Sequence, residues 1–207
     1  MITARWFGGA LFTFMVVALT GCAAVGVTQT NDPERKLIDA GHLLDQGRAL
    51  PSERLIHEAI ETYRTLDDAH NLGYAYGLYA ELLQSNAVNK AELAFLRSGF
   101  RDPSVNMANR FEKSIHYTRM AIEQYTRAVE RHSREEKYGA LTNAHFQLAW
   151  LHERLLDKAK ACSHFQKTKE AYALNKQKNP QAKPYTPKGY RSISDFVTEQ
   201  MRKLPCP

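Results

Sequence analysis

The chain has 207 residues, a formal net charge of +6 and three cysteines. That length suits one domain with a sizeable core, and no Gly/Ser-rich linker divides it. The sequence contains no Gly-rich phosphate loop, no Gly-x-Ser-x-Gly elbow and no Cys-x-x-Cys pair, so nucleotide, acyl-transfer and dithiol chemistry are without their usual motifs.

An apolar block from Trp6 to Leu19 comes first, preceded by Arg5 and the amino terminus. A bilayer-spanning helix needs roughly 20 apolar residues, so this block is short for a span and suits the apolar region of a secretory signal. Leu19-Thr20-Gly21-Cys22 resembles the bacterial lipobox, in which the cysteine receives a diacylglyceryl group before cleavage. The resemblance implies a signal peptide over residues 1–21, lipidation at Cys22 and a lipidated tether over 22–31. An uncleaved anchor helix, or a plain signal with a chance cysteine, is the alternative. Ala23, in place of an aspartate, resembles the outer-membrane class. The expected place is therefore the outer membrane, lipid-anchored and facing the periplasm. An exported chain rarely meets nucleic acid. The positive charge, +5 once Arg5 leaves with the signal (6 minus 1), is better matched to anionic headgroups, acidic glycan or an acidic protein.

With Cys22 lipidated, Cys162 and Cys206 remain in an oxidising compartment, where a disulfide is expected; two free buried thiols are the alternative. Such a bridge would constrain the unfolded chain by about 4 kcal/mol in the loop-entropy account.

Asp32-Pro33-Glu34 reads as a helix start, with an N-cap, a proline in the first turn and an acid at the positive dipole end. From there to about residue 174 the periodicity is helical, interrupted at Pro51, Gly99 and Asp102-Pro103. Ser133-Arg134-Glu135-Glu136 has the spacing of a capping box. Residues 175–191 hold three prolines and several lysines and read as an extended basic connector. Residues 192–207 return to helical spacing, with Ile193, Phe196 and Met201 as an apolar stripe. The expected class is all-α, with a helical domain over 32–174.

Within that domain segments repeat. Ala59/Tyr63, Ala91/Phe95, Ala121/Tyr125 and Ala161/Phe165 each place an alanine four residues before an aromatic, on one helix face. "AHNLGYAY" at 69–76 and "AHFQLAWLH" at 144–152 both begin Ala-His and set a leucine before a small residue, Leu72-Gly73 and Leu148-Ala149. The pattern resembles the tetratricopeptide repeat family. Leu72, Gly73 and Tyr76 match its first helix, and Ala121, Tyr125 and Ala128 its second. His152 stands where the family has tyrosine, no proline closes the units, and the interval drifts. Between residues 86 and 114 two frames compete, and one of them joins Ser114, Ala121 and Ala128 into the small-residue face of a single long helix. The resemblance implies a short superhelix of antiparallel hairpins; a generic helical bundle is its rival. A terminal helix would cap the last apolar face, pinned by Cys162–Cys206.

No metal or cofactor site is expected: His57-Glu58 and His152-Glu153 lack the further histidine of a zinc helix, and His145, His152 and His164 read as packing or surface residues. No enzyme activity and no small-molecule substrate are expected. The resemblance instead implies a concave groove lined by first helices, which would receive a protein or peptide partner. Its residues here would be His70, Tyr74 and Leu78 from one hairpin, and Asn143, Phe146, Trp150 and Arg154 from another. Trp150 suits either a recognition anchor or the core between repeats. The expected function is an adaptor or assembly factor of an envelope machine such as a secretin, pilus or secretion system. The alternative is a peptidoglycan-associated factor that binds or regulates cell-wall enzymes.

Overall fold

The computed structural model describes residues 30–182 and 186–206. The signal segment, Cys22 and the first part of the tether lie outside the described residues. The fold is all-α. Among the described residues there are nine helices and no strand: α1 (Pro33–Asp45), α2 (Ala49–Thr65), α3 (Ala69–Gln84), α4 (Asn86–Lys90), α5 (Glu92–Ser98), α6 (Arg110–Arg134), α7 (Tyr138–Arg154), α8 (Lys158–Lys178) and α9 (Ile193–Lys203). None of these helices is long and apolar enough to cross a membrane.

Asp32 caps α1 as its sequence suggests, accepting from the Glu34 N–H with Pro33 in the first turn. Four of the connections are three-residue turns of one design, at 46–48, 66–68, 135–137 and 155–157. In each the middle residue is left-handed: Gly47 (φ 75°), Asp67 (φ 49°), Glu136 (φ 52°) and Leu156 (φ 61°). The next N–H then reaches back to a helix carbonyl, as Arg48 does to Leu43, Asp68 to Tyr63, Lys137 to His132 and Asp157 to His152, at 2.8–3.0 Å. These bonds satisfy carbonyls that a helix end leaves without partners. The Ser133–Glu136 stretch therefore stops a helix. It is not the capping box its spacing suggests: Ser133 still lies in α6, and α7 begins two residues after Glu136.

Short turns force neighbouring helices to pack antiparallel. They join α1 to α2, α2 to α3, α6 to α7 and α7 to α8; with α3 packed along α6 the chain forms three hairpins, α1/α2, α3/α6 and α7/α8, and α9 packs on α8. The central hairpin closes over a long insertion. Gln84 at the end of α3 bonds Ser114 near the start of α6, while His70 at the start of α3 meets His132 near the end of α6. The frame with one long helix is the one adopted: Ser114, Ala121 and Ala128 are all buried on α6. The copy at 90–98 forms no hairpin helix. Ala91 separates two short helices, α4 and α5, and Phe95 stacks on Phe100 (centroids 4.2 Å) to seat the insertion on the core. Arg110 holds this junction, donating to the Leu83 carbonyl at the end of α3 and to Asn89 on α4.

The other three alanine–aromatic pairs act as their spacing implies. Ala59, Tyr63, Ala121, Tyr125, Ala161 and Phe165 are all buried. A Cβ placed on Gly73 would stand 2.9 Å from the Tyr125 ring, so α3 and α6 approach as closely as they do because residue 73 has no side chain. At the other end of the array Ala149 and Phe165 share an apolar cluster with Ile193 and Val197 of α9. Ser192 caps that helix by accepting from the Asp195 N–H. The Cys162 and Cys206 sulfurs lie at disulfide bonding distance, with Cα atoms 5.5 Å apart, and tie the end of the chain to α8. α8 itself runs to Lys178, four residues beyond the expected boundary at 174 (178 minus 174). Asn175 is buried beside Gly139 and accepts from Asn179, the residue that caps the helix.

Candidate partner-binding groove

The first helices of the three hairpins, α1, α3 and α7, line two adjoining clefts. The larger, about 190 Å³, is bounded by Glu34, Ile38, Tyr63, Tyr74, Tyr125 and Asn143, among others. The smaller, about 100 Å³, lies between α3 and α7 and is lined by Tyr74, Leu78, Glu81, Trp150 and Arg154. Tyr74, Tyr125 and Gln147 border both, so the clefts share a wall. A third and larger cavity, about 1070 Å³, opens between α7, the end of α8, residues 179–182 and Ile193.

The seven residues expected from the sequence divide among these spaces. His70, Tyr74 and Asn143 meet in the larger cleft, where the Asn143 amide lies 3.3 Å from His70 Nε2. Tyr74 is 40% exposed, the most accessible aromatic of the seven. Arg154 spans the smaller cleft from α7 to α3, 3.9 Å from the Glu81 carboxylate and 3.5 Å from the Gly77 carbonyl. Leu78 lies at the base of this cleft and is buried. Phe146 and Trp150 are not free anchors. Both sit half-buried in the cluster under α9: Trp150 stands 5.8 Å from Phe165 and 6.2 Å from Phe196, and Phe146 5.9 Å from Phe196. The cap helix lies on the face where a partner would reach them, so core packing is the reading that holds for these two. Trp150 still edges the smaller cleft.

Glu34, Ile38 and Gln147 also belong to the groove and have no counterpart in the sequence reading. Glu34 and Ile38 are one turn apart on α1, which lacks the leucine–small pair that marks α3 and α7. Its role as a first helix becomes visible only when α1 pairs with α2.

The groove carries a negative bias in a basic chain. Burial pushes the Tyr63 phenol up to about 12, helped by the carboxylates of Glu34, Asp68 and Asp32 nearby. Tyr74 is raised by burial and then by Glu81. Burial and the neighbouring His132 hold His70 below its ordinary value, so its imidazole is neutral near pH 7.

Three other histidines, His145, His152 and His164, lie within the last hairpin. His145 Nδ1 and His164 Nδ1 are 3.1 Å apart, and the His152 ring lies parallel to His164 with centroids 5.4 Å apart. Burial lowers both His145 and His164 to about 4. Neutral imidazoles at this distance can share one hydrogen bond, with one ring donating and the other accepting. Among the described residues no three His, Cys, Asp or Glu side chains are grouped so as to hold a metal ion. Compared with family models, with curated proteins and with solved structures, the chain matches none.

Proposed function

We propose that this chain is a lipid-anchored scaffold of the bacterial outer membrane, facing the periplasm, that captures an extended segment of an envelope protein along α1, α3 and α7. Its envelope machine would be of the secretin, pilus or secretion type. The observation that carries the reading is the pair of clefts along the first helices of three successive hairpins, with a common wall of Tyr74 of α3, Gln147 of α7 and Tyr125 of α6. The same succession of hairpins, the close approach at Gly73 and the capping helix support the tetratricopeptide-like reading. The lipobox resemblance of residues 19–22 supports the anchor and the compartment.

A photocrosslinking residue at Tyr74, in intact cells, should trap an envelope protein. The same group at Arg119, exposed on the second helix of the central hairpin, should not. Equal trapping at both positions, or at neither, would overturn the groove. Cys22→Ala should leave an uncut precursor of slower mobility; a mature chain whose intact mass in the membrane fraction shows no added lipid would overturn the anchor. One observation favours the peptidoglycan-associated alternative. The cavity between α7, α8 and α9 is lined by five carboxamides, Asn143, Gln147, Asn175, Asn179 and Gln181, groups suited to acetamido and hydroxyl partners. Retention on isolated sacculi, lost in Asn175→Leu, would support that reading.

A further inference from the structure

Building on the groove reading, we propose that the larger cleft is a socket for one cationic side chain, a lysine or arginine, of the bound partner segment. The cleft's size comes first: about 190 Å³ admits one long side chain and no helix. Its lining then decides the chemistry. Three tyrosines, Tyr63, Tyr74 and Tyr125, contribute rings from three different helices, and among the described residues the single charged group at the wall is the Glu34 carboxylate. Among the described residues no lysine or arginine lines the space. A cation near tyrosine rings is attracted by their negative faces, and an ammonium or guanidinium gains further from a carboxylate at the rim.

The two basic side chains that follow Glu34 in α1 are already engaged. Arg35 pairs with Asp39 and Lys36 with Glu58, whereas Glu34 forms no ion pair among the described residues. Asp32 and Asp68 add to the same negative field. His70 is neutral near pH 7 and does not oppose a cation, while its ring and the amides of Asn71, Asn143 and Gln147 give the rim polar groups for a peptide backbone. An acidic side chain would face Glu34 directly, and an apolar one would leave that carboxylate beside it without compensation. The smaller cleft offers no such charge, because Arg154 and Glu81 face each other across it.

The test uses the full chain in detergent micelles and four capped pentapeptides, diglycine on either side of lysine, arginine, norleucine or glutamate. Side-chain resonances of Tyr74 and His70 report binding. The lysine and arginine peptides should give saturable shifts, weakened roughly ten-fold or more in Glu34→Gln and in Tyr74→Ala. Rising salt should weaken them further. Glu34 and Tyr74 are both exposed enough for these variants to fold, and a thermal melt checks this. Norleucine binding as well as lysine, glutamate binding better, or no saturable shift with either cationic peptide each overturns the socket. Trapping at Tyr74 in cells without a lysine or arginine response would leave the groove standing and remove the socket. A lysine response with no trapping would do the opposite.

Discussion

Replacing Gly73 tests whether the central hairpin is built on a missing side chain. A Cβ there would stand 2.9 Å from Tyr125 Cδ2 and 3.1 Å from both Cγ and Cε2, against an ordinary carbon–carbon contact of roughly 3.5–4.0 Å. Tyr125 cannot swing aside, since it is fully buried and His70 packs edge-on against it with centroids 5.5 Å apart. Alanine in a helix is otherwise worth about 1 kcal/mol over glycine, while overpacking costs about 1–3 kcal/mol. Gly73→Ala should therefore lose about 0–2 kcal/mol net, and Gly73→Leu several times as much. Two other helical glycines serve as controls. A Cβ on Gly77 meets only a Leu151 methyl at 3.9 Å, and one on Gly41 meets nothing within 4 Å. Both should gain about 1 kcal/mol as alanines, a rise of about 2–4 °C in Tm for a domain of this size. Thermal and urea melts of the three alanine variants measure the contrast. If Gly73→Ala is stabilised as much as Gly41→Ala, the close approach of α3 and α6 does not depend on the glycine.

The other predictions concern the ends of the array and the pH. Trp150→Ala should lower stability by about 3–5 kcal/mol at most, as large-to-small core changes do, and should loosen α9, whereas Tyr74→Ala should change melting little; equal melting of the two would place Trp150 outside the core. Reducing Cys162–Cys206 should remove up to about 4 kcal/mol and speed hydrogen exchange over Ile193–Lys203 first, so unchanged exchange there would show that the bridge does not hold the cap. Because burial lowers His145 and His164 to about 4 in the folded chain against about 6.5 unfolded, the unfolded state binds more protons between these values. Stability should accordingly be full above pH 6.5 and fall as pH drops towards 4; a melt flat across that window, or one whose slope is unchanged in His145→Gln, would contradict this. Leu156→Gly should stabilise by about 1 kcal/mol, since a leucine at φ 61° and 83% exposure carries left-handed strain with little burial in return; a loss of stability would argue for a contact that Leu156 makes with something else.

How far the sequence carries depends on the kind of interaction involved. Alanine four residues before an aromatic is a one-dimensional record of helix packing, so Ala59/Tyr63, Ala121/Tyr125 and Ala161/Phe165 point to second helices that the fold does contain. Ala91/Phe95 carries the same record and misleads, because Phe95 meets its partner Phe100 within the insertion and not on a neighbouring repeat. Ser133 to Glu136 has the spacing of a helix start. The hydrogen bonds that turn it into a helix stop involve backbone geometry, which side-chain identity only weakly encodes. Pairing Cys162 with Cys206 follows from counting cysteines once Cys22 is set aside. The groove is the least legible part. Tyr74 and Trp150 occupy matching positions, yet only the docking of α9 separates an open aromatic from a covered one. Glu34 and Ile38 enter the groove through the pairing of α1 with α2, a relation that no local pattern on α1 announces.

The insertion between α3 and α6 sets an order of assembly. Hairpins α1/α2 and α7/α8 close over three-residue turns, whereas α3 and α6 must meet across the 25 residues 85–109 (109 minus 84). Loop closure grows as the logarithm of length, so the central hairpin starts with an entropic handicap of about 2 kcal/mol relative to its neighbours. Its seal is also the most exacting, with Gly73 fitted to Tyr125 from 52 positions away (125 minus 73). The two ends of the chain can therefore acquire helical structure while the middle is still searching. Until that search ends, Tyr125 is not seated beside Tyr74, and the wall shared by the two clefts is incomplete. A change that slows the closing of α3 on α6 should therefore delay completion of the clefts without altering the folded state.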